Sequence, residues 1–323
     1  MAHDPIPELI ARVHARHRDC DEGEVATYIP ELGKADPDGF GICVVTADGR
    51  VYEAGDCAET FTIQSISKPF VYGMAIEDHG REEVLKRVGV EPTGEAFNSI
   101  VLDEATMRPF NPMVNAGAIA TAALVSGATP SERAARVVAR FGAAAGRDLA
   151  IDERVRASEE ATGHRNRAIA HLMLNFGMIP NDVDGILDLY FRQCSILVNC
   201  RDLATMAATL ANVGTNPITG VDVFRVDCVR DVLAVMLTCG MYDYSGEWAF
   251  RVGVPAKSGV AGGVLAVVNR QLGIGIWSPR LDARGNSVRG IRACVEIADE
   301  LGLHAFDVMN FGSTFLRALV REE

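Results

Sequence analysis

Residues 62–69 read Thr-Ile-Gln-Ser-Ile-Ser-Lys-Pro, and residues 255–263 read Pro-Ala-Lys-Ser-Gly-Val-Ala-Gly-Gly. How these two stretches relate decides the fold. The first sets Ser65, Ser67 and Lys68 within four residues. On a helix, residues three apart share a face and neighbours lie about 100° apart. Ser65 and Lys68 can therefore meet, while Ser67 points elsewhere. Pro69 lacks an N–H and suits the first turn of a helix, which puts Ser65 near a helix N-terminus. Ser-x-x-Lys alone is a weak signal, and Lys-Ser-Gly alone is only rarer. Together, in this order, they delimit a long helical stretch, and that ordered pair is the strong signal.

The chain around them fits. Ile6, Leu9, Ile10 and Val13 have helical spacing. Residues 39–56 read as two strands joined at Ala47-Asp48-Gly49, a hairpin signature. From about Ser65 to about Met241 the pattern is mostly helical, with loops at 89–99 and 108–112. Thr129-Pro-Ser-Glu132 is a helix start with cap, proline and capping glutamate. Further helices are predicted over 152–177, 182–193, 201–212 and 227–238. Three short apolar runs, 247–258, 262–270 and 271–278, read as adjacent antiparallel strands. A helix over 287–301 closes the pattern. The layout is one antiparallel sheet built from both ends of the chain, with a helical lobe inserted between them. We expect a single domain over 1–323, with a sheet lobe from about 1–64 and 242–323 and a helical lobe over about 65–241.

Composition narrows the function. The net charge of −12 argues against nucleic acid or an anionic membrane as partner, since both reward clustered cations. No run approaches the ~18 apolar residues of a membrane span. The first twenty residues lack a signal-peptide core. Eight scattered cysteines without a C-x-x-C pair read as reduced thiols, so a cytoplasmic protein is expected. Of 31 basic residues only Lys34, Lys68, Lys86 and Lys257 are lysine. Arginine keeps its proton in a protein, whereas a desolvated lysine can lose it. Each lysine therefore raises the question of a removable proton.

The chemistry suited to such residues is acyl transfer. A serine hydroxyl needs a base, and Lys68 can serve if burial and cationic neighbours, Lys257 among them, lower its pKa. The oxyanion needs two N–H donors. Ser65 supplies one and the strand after Lys257-Ser258-Gly259 the other, with Val260 leading; Gly259, Gly262 and Gly263 allow close backbone approach.

These motifs are those of the serine β-lactamase and penicillin-binding-protein superfamily. With VATYIPEL (25–32), FNPMVNAGAI (110–119), SEEATGHRN (158–166), DLYFRQCSI (188–196), CGMYDYSG (239–246) and WSPRLDARGNSVRG (277–290), the chain resembles the glutaminase family from about Tyr28 to about Gly290. The resemblance implies an α/β (α+β), β-lactamase/transpeptidase-like fold, with the antiparallel sheet flanked by helices. It implies hydrolysis of L-glutamine to L-glutamate and ammonia without metal or organic cofactor, in a homo-oligomer, a dimer or tetramer. Carried over, the nucleophile falls on Ser65 and the lysine on Lys68. Substrate contacts fall on Asn115, Glu159, Asn166, Tyr190, Tyr242 and Val260, and Tyr28 and Gln64 match pocket positions. Glu159 would accept the substrate ammonium, and Asn166 and tyrosine hydroxyls its carboxylate. Tyr242 or Tyr190 would pass a proton to the leaving ammonia.

Taken singly, these residues have plainer readings. Asn115 could cap a helix, Glu159 and Glu160 could be a solvated face, Tyr190 a core tyrosine, Asn166 a turn residue and Tyr242 a loop shaper. Cys194 reads as buried and inert, and His14 and His17 lack a cluster to complete a metal shell. Two rival functions stand beside the amidase: a penicillin-interacting enzyme of the same fold, and a glutamine-binding domain without turnover.

Overall fold

The two ends of the chain meet in one sheet. The computed structural model describes residues 4–95 and 99–307. Part of the expected 89–99 loop and the outermost ends of the expected domain, 1–3 and 308–323, lie outside the described residues. After helix α1 (Ile6–His17) and strand β1 (Glu24–Val25), strands β2 (Gly41–Thr46) and β3 (Val51–Gly55) form the expected hairpin. Its turn residue Gly49 takes φ +86°, a conformation open to glycine. Strand β4 (Phe61–Thr62) runs into a 3₁₀ turn, Gln64–Ser67. Helices α2 (Lys68–His79), α3 (Arg81–Leu85), α4 (Asn115–Ala122), α5 (Pro130–Ala145), α6 (Glu153–Thr162), α7 (His164–Asn175) and α8 (Val183–Cys194) follow. Strand β5 (Leu197–Val198) then pairs with β4, before helices α9 (Cys200–Ala211), α10 (Val226–Cys239) and α11 (Ser245–Arg251). Strands β6 (Ala256–Ser258), β7 (Gly263–Val268), β8 (Leu272–Trp277) and β9 (Arg280–Leu281) and helix α12 (Val288–Leu301) complete the order.

The central sheet runs β3-β2-β8-β7-β6 and is antiparallel at every pairing. Its two faces bury different cores, as the period of two along a strand requires. Ile42, Val44, Val264, Ala266, Ile274 and Ile276 pack with Leu9, Ile10 and Val13 of α1, Trp248 of α11 and Ala293 and Ile297 of α12. Cys43, Val45, Leu265 and Val267 face the helical lobe. Each fully buried Ile or Val contributes about 1.5–3 kcal/mol. On β8 the lobe-facing positions are Gly273 and Gly275. A Cβ on Gly273 would stand 2.2 Å from the Ala208 nitrogen, and one on Gly275 2.3 Å from the Cys200 oxygen. The alternation Leu-Gly-Ile-Gly-Ile is thus a seat for α9, which lies directly on the sheet.

Local signals explain the helix ends. The Thr129 hydroxyl accepts the Glu132 N–H at 3.2 Å, and Asn199 and Asp202 form a reciprocal capping box at the start of α9. Pro69 occupies the first turn of α2. His14 and His17 serve structure: their rings bond to the Phe40 oxygen and the Glu296 carboxylate.

Two expectations fail. Residues 247–258 are not one strand. Ser245–Arg251 is helical, with Trp248 fully buried and donating to the Val254 oxygen at 2.7 Å, and only Ala256–Ser258 pairs in the sheet. Gly253, at φ +67°, turns the chain between them. The helix predicted over 152–177 is two helices broken at Gly163. A Cβ there would stand 2.7 Å from the Phe191 ring, so only glycine lets the chain bend against α8. The two-residue ribbons β1–β9 and β4–β5 are also structure that periodicity does not announce, because two residues carry no alternation to read.

Candidate active site

The β4–β5 ribbon delivers the chain into the turn that carries Ser65. Gln64 takes φ +50°, a left-handed conformation uncommon for glutamine and typical of strain stored at functional sites. The Lys68 N–H donates to the Ser65 oxygen. Ser65 and Lys68 are thus one 3₁₀ turn apart, the separation at which side chains eclipse. The Ser67 hydroxyl turns to α8, where Gln193 Nε2 approaches at 3.3 Å.

The four lysines divide cleanly. Lys34 and Lys86 are exposed and paired with Glu31 and Glu83. Lys68 and Lys257 have no exposure at all. Lys68 Nζ donates to Asn115 Oδ1 at 2.7 Å and to the Met113 oxygen at 3.2 Å. Burial pushes its pKa down to about 8, against a pull upward from neighbouring Cys194 and Glu159. Lys257 Nζ donates to the Ser258 oxygen at 2.8 Å and lies 4.1 Å from the centre of the Tyr242 ring. Burial first, and the charge of Lys68 second, hold Lys257 well below the ordinary lysine value. Desolvation is thus the leading cause for both amines.

β6 closes the site from the other end of the chain. A Cβ on Gly259 would stand 3.0 Å from the Ile63 oxygen and 3.3 Å from the Ile66 side chain, so the strand end touches the Ser65 turn backbone to backbone. Val260 follows, buried. The Tyr242 hydroxyl donates to the Ser258 oxygen at 3.0 Å. Ser65 lies near enough to hold its pKa down against burial. Tyr242 itself has φ +58°, a second strained residue beside the serine. Burial raises its pKa, so it is neutral at ordinary pH.

A pocket of about 110 Å³ opens over Ser65, well below the ~300–1,000 Å³ that holds drug-sized ligands. Among the expected residues, Tyr28, Gln64, Ser65, Asn115, Glu159, Asn166 and Tyr190 line it. Tyr242 lines a neighbouring cavity of about 340 Å³ with Met113 and Val114. Asn115 is the first residue of α4, with Val114 in the cap position; its side chain links Lys68 to Asn166 Oδ1, 3.0 Å from its Nδ2. The break at Gly163 turns both Glu159 of α6 and Asn166 of α7 to the same pocket. Glu159 is buried, and its Oε2 has no hydrogen-bond partner among the described residues. Burial pushes its pKa up to about 8, opposed by Lys68.

The sequence reading left out Ile29, Thr162, Gly163 and Arg165, which also line the pocket. Three of these lie inside the SEEATGHRN stretch, so their place in that motif was the available signal. Cys194 lines the pocket too. Burial holds its thiol well above the ordinary value, with the nearby hydroxyls of Ser67 and Tyr190 acting against it. Among the described residues no group of three or more His, Cys, Asp or Glu is placed to hold a metal ion, and no helix is long and apolar enough to cross a membrane.

Comparison with known proteins gives one answer. The profile of the family described as Glutaminase matches residues 23–306. A glutaminase from Nostoc sp. is 58% identical over 309 residues, covering 96% of this chain and 92% of that one. Among solved structures, Mglu in its glutamate form superposes with a TM-score of 0.92 at 43% identity, over 97% of this chain and 72% of that one. A probable glutaminase, ybaS, superposes with a TM-score of 0.92 at 40% identity, over 95% of this chain and 99% of that one.

Proposed function

This chain belongs to the glutaminase family, and from that premise we propose how it hydrolyses L-glutamine to L-glutamate and ammonia. Ser65 Oγ attacks the side-chain amide carbon while Lys68, its pKa pushed down to about 8, accepts the hydroxyl proton. The backbone N–H groups of Ser65 and Val260 hold the oxyanion. The amide nitrogen takes up a proton, the C–N bond breaks and ammonia leaves, giving a glutamyl ester on Ser65. Water, deprotonated by the same lysine, attacks the ester and releases glutamate. We assign proton delivery to nitrogen to Tyr242, whose hydroxyl lies near Ser65 and, held by the Ser258 carbonyl, still carries its proton. Tyr190, which lines the pocket, contacts substrate instead. Lys257, Ser258 and Gly259 support the site: the Ser258 carbonyl anchors both Tyr242 and Lys257.

The observation that carries the reading is the buried, unpartnered Glu159 Oε2 in the same pocket as Ser65. A buried carboxylate without a partner is costly and fits a ligand cation, here the α-ammonium of an amino acid. Asn166 accepts from Asn115 through its oxygen, which leaves its N–H groups for the α-carboxylate. Mglu has been solved in a glutamate form, and the likeness to it supports the same ligand here. Purified protein given glutamine, asparagine and a chromogenic β-lactam should release ammonia from glutamine and leave the β-lactam ring closed. β-lactam turnover, or tight glutamine binding without ammonia, overturns the proposal. The reading also takes the chain as one domain with a sheet lobe and a helical lobe, cytoplasmic and homo-oligomeric; its free cysteines support the compartment.

A further inference from the structure

The ribbon leading to Ser65 is bracketed at its open end by two cysteines. Phe61 pairs with Val198, Thr62 with Leu197, and the Ile63 N–H donates to the Ile196 oxygen at 2.8 Å before the Ser65 turn begins. At the other end Cys57 lies shortly before β4 and Cys200 shortly after β5. Both sulfurs sit on β2: Cys57 Sγ donates to the Ile42 oxygen at 3.1 Å, and Cys200 Sγ to the Gly41 oxygen at 3.4 Å. The two sulfurs thus bond to the carbonyls of consecutive residues. Gly41 leaves the room in which they converge: a Cβ there would stand 3.0 Å from Cys200 Sγ and 2.8 Å from the Asp56 carbonyl carbon. Cys57 also lines a cavity of about 660 Å³ with Arg147 and Arg201.

We propose that Cys57 and Cys200 are a redox-active pair that closes into an intramolecular disulfide on reaction with a peroxide. The two sulfurs have different characters. The neighbouring Cys200 thiol is the largest influence lowering the Cys57 thiol, whereas burial keeps the Cys200 proton in place. Cys57 is therefore the attacking sulfur. It takes one peroxide oxygen as the O–O bond breaks and hydroxide leaves, to be protonated to water, and becomes a sulfenic acid. Cys200 then attacks the sulfenic sulfur; the S–S bond forms, the S–O bond breaks, and the departing hydroxyl takes the Cys200 proton as a second water. Two thiols and one peroxide give one disulfide and two waters. The bond staples the end of the ribbon opposite the Ser65 turn, coupling the oxidation state to the segment that holds the nucleophile.

The test uses the whole wild-type protein, treated with hydrogen peroxide and mapped by mass spectrometry without reductant. The expected result is a peptide linking Cys57 to Cys200, loss of two free thiols per chain, and recovery of both with dithiothreitol. Cys200→Ser should accumulate a sulfenic acid at Cys57 that dimedone traps. Oxidation confined to Cys20, or a link from either sulfur to Cys43 in place of the Cys57–Cys200 bond, overturns the proposal. Its failure leaves the glutamine assay untouched, so the two proposals fail separately.

Discussion

A serine hydroxyl becomes useful only beside a base, and two serines here compete for one lysine. Ser65→Ala should lower ammonia release at least about 10³-fold, whereas Ser67→Ala should keep most of it; its hydroxyl faces Gln193. An equal loss in both would mean the nucleophile was misassigned. Glu159→Gln removes the acceptor proposed for the substrate ammonium, and KM for glutamine should rise about 10–100-fold, with a smaller change in kcat. Burial brings Lys68 and Glu159 both to about 8 in the folded protein, and the proposed reaction needs both deprotonated. A profile of kcat/KM should therefore climb with pH through about 8, and a flat profile from pH 6 to 9 would count against Lys68 as base. Stability moves the other way on the acid side. Glu159 titrates near 4.5 unfolded and about 8 folded, so the folded state binds the extra proton between those values. Stability from this group is complete below pH 4.5 and is lost as pH rises through 8. Glu159→Gln should flatten that loss in melting temperature between pH 5 and 8. At this scale the sequence was legible where local chemistry repeats: serine, lysine and proline at fixed spacing. Glu159 and Asn166 were legible only as members of a motif set. Nothing in a lone glutamate says that one of its oxygens will be buried without a partner.

Elements were read well where their period was long and their ends were capped. Thr129→Ala should cost about 1 kcal/mol in a denaturant titration and leave KM unchanged, because the cap of α5 touches no pocket residue. The misreading at 247–258 arose because a short amphipathic helix and a strand are alike over a few apolar residues; burial of Trp248 settles which forms. Gly163 was the most informative miss. It looks like a tolerable glycine inside one long helix, yet it is a hinge set by contact with Phe191. Gly163→Ala should push α6 and α7 apart and raise KM more than it lowers kcat. A variant with unchanged KM would mean the bend is not what aims Glu159 and Asn166.

Over the whole molecule, the sheet drawn from both ends was legible because its strands are short apolar runs and the two motifs stand at either end of the helical stretch between them. The close seating of α9 was not, since nothing in the strand reading of 271–278 says that a helix lies on Gly273 and Gly275. Gly275→Val would drive a side chain into the Cys200 carbonyl. We expect insoluble protein or a melting temperature lowered by 10 °C or more, against little change for a substitution at the open Gly94 or Gly177 that keeps their backbone angle. The division of the lysines has a practical side. An acylating reagent aimed at primary amines meets Lys34 and Lys86 on the outside, each with about two thirds of its side chain exposed, while the working amines are sealed within. Such a reagent could tether the enzyme to a support or carry a fluorophore at a few known points without poisoning it.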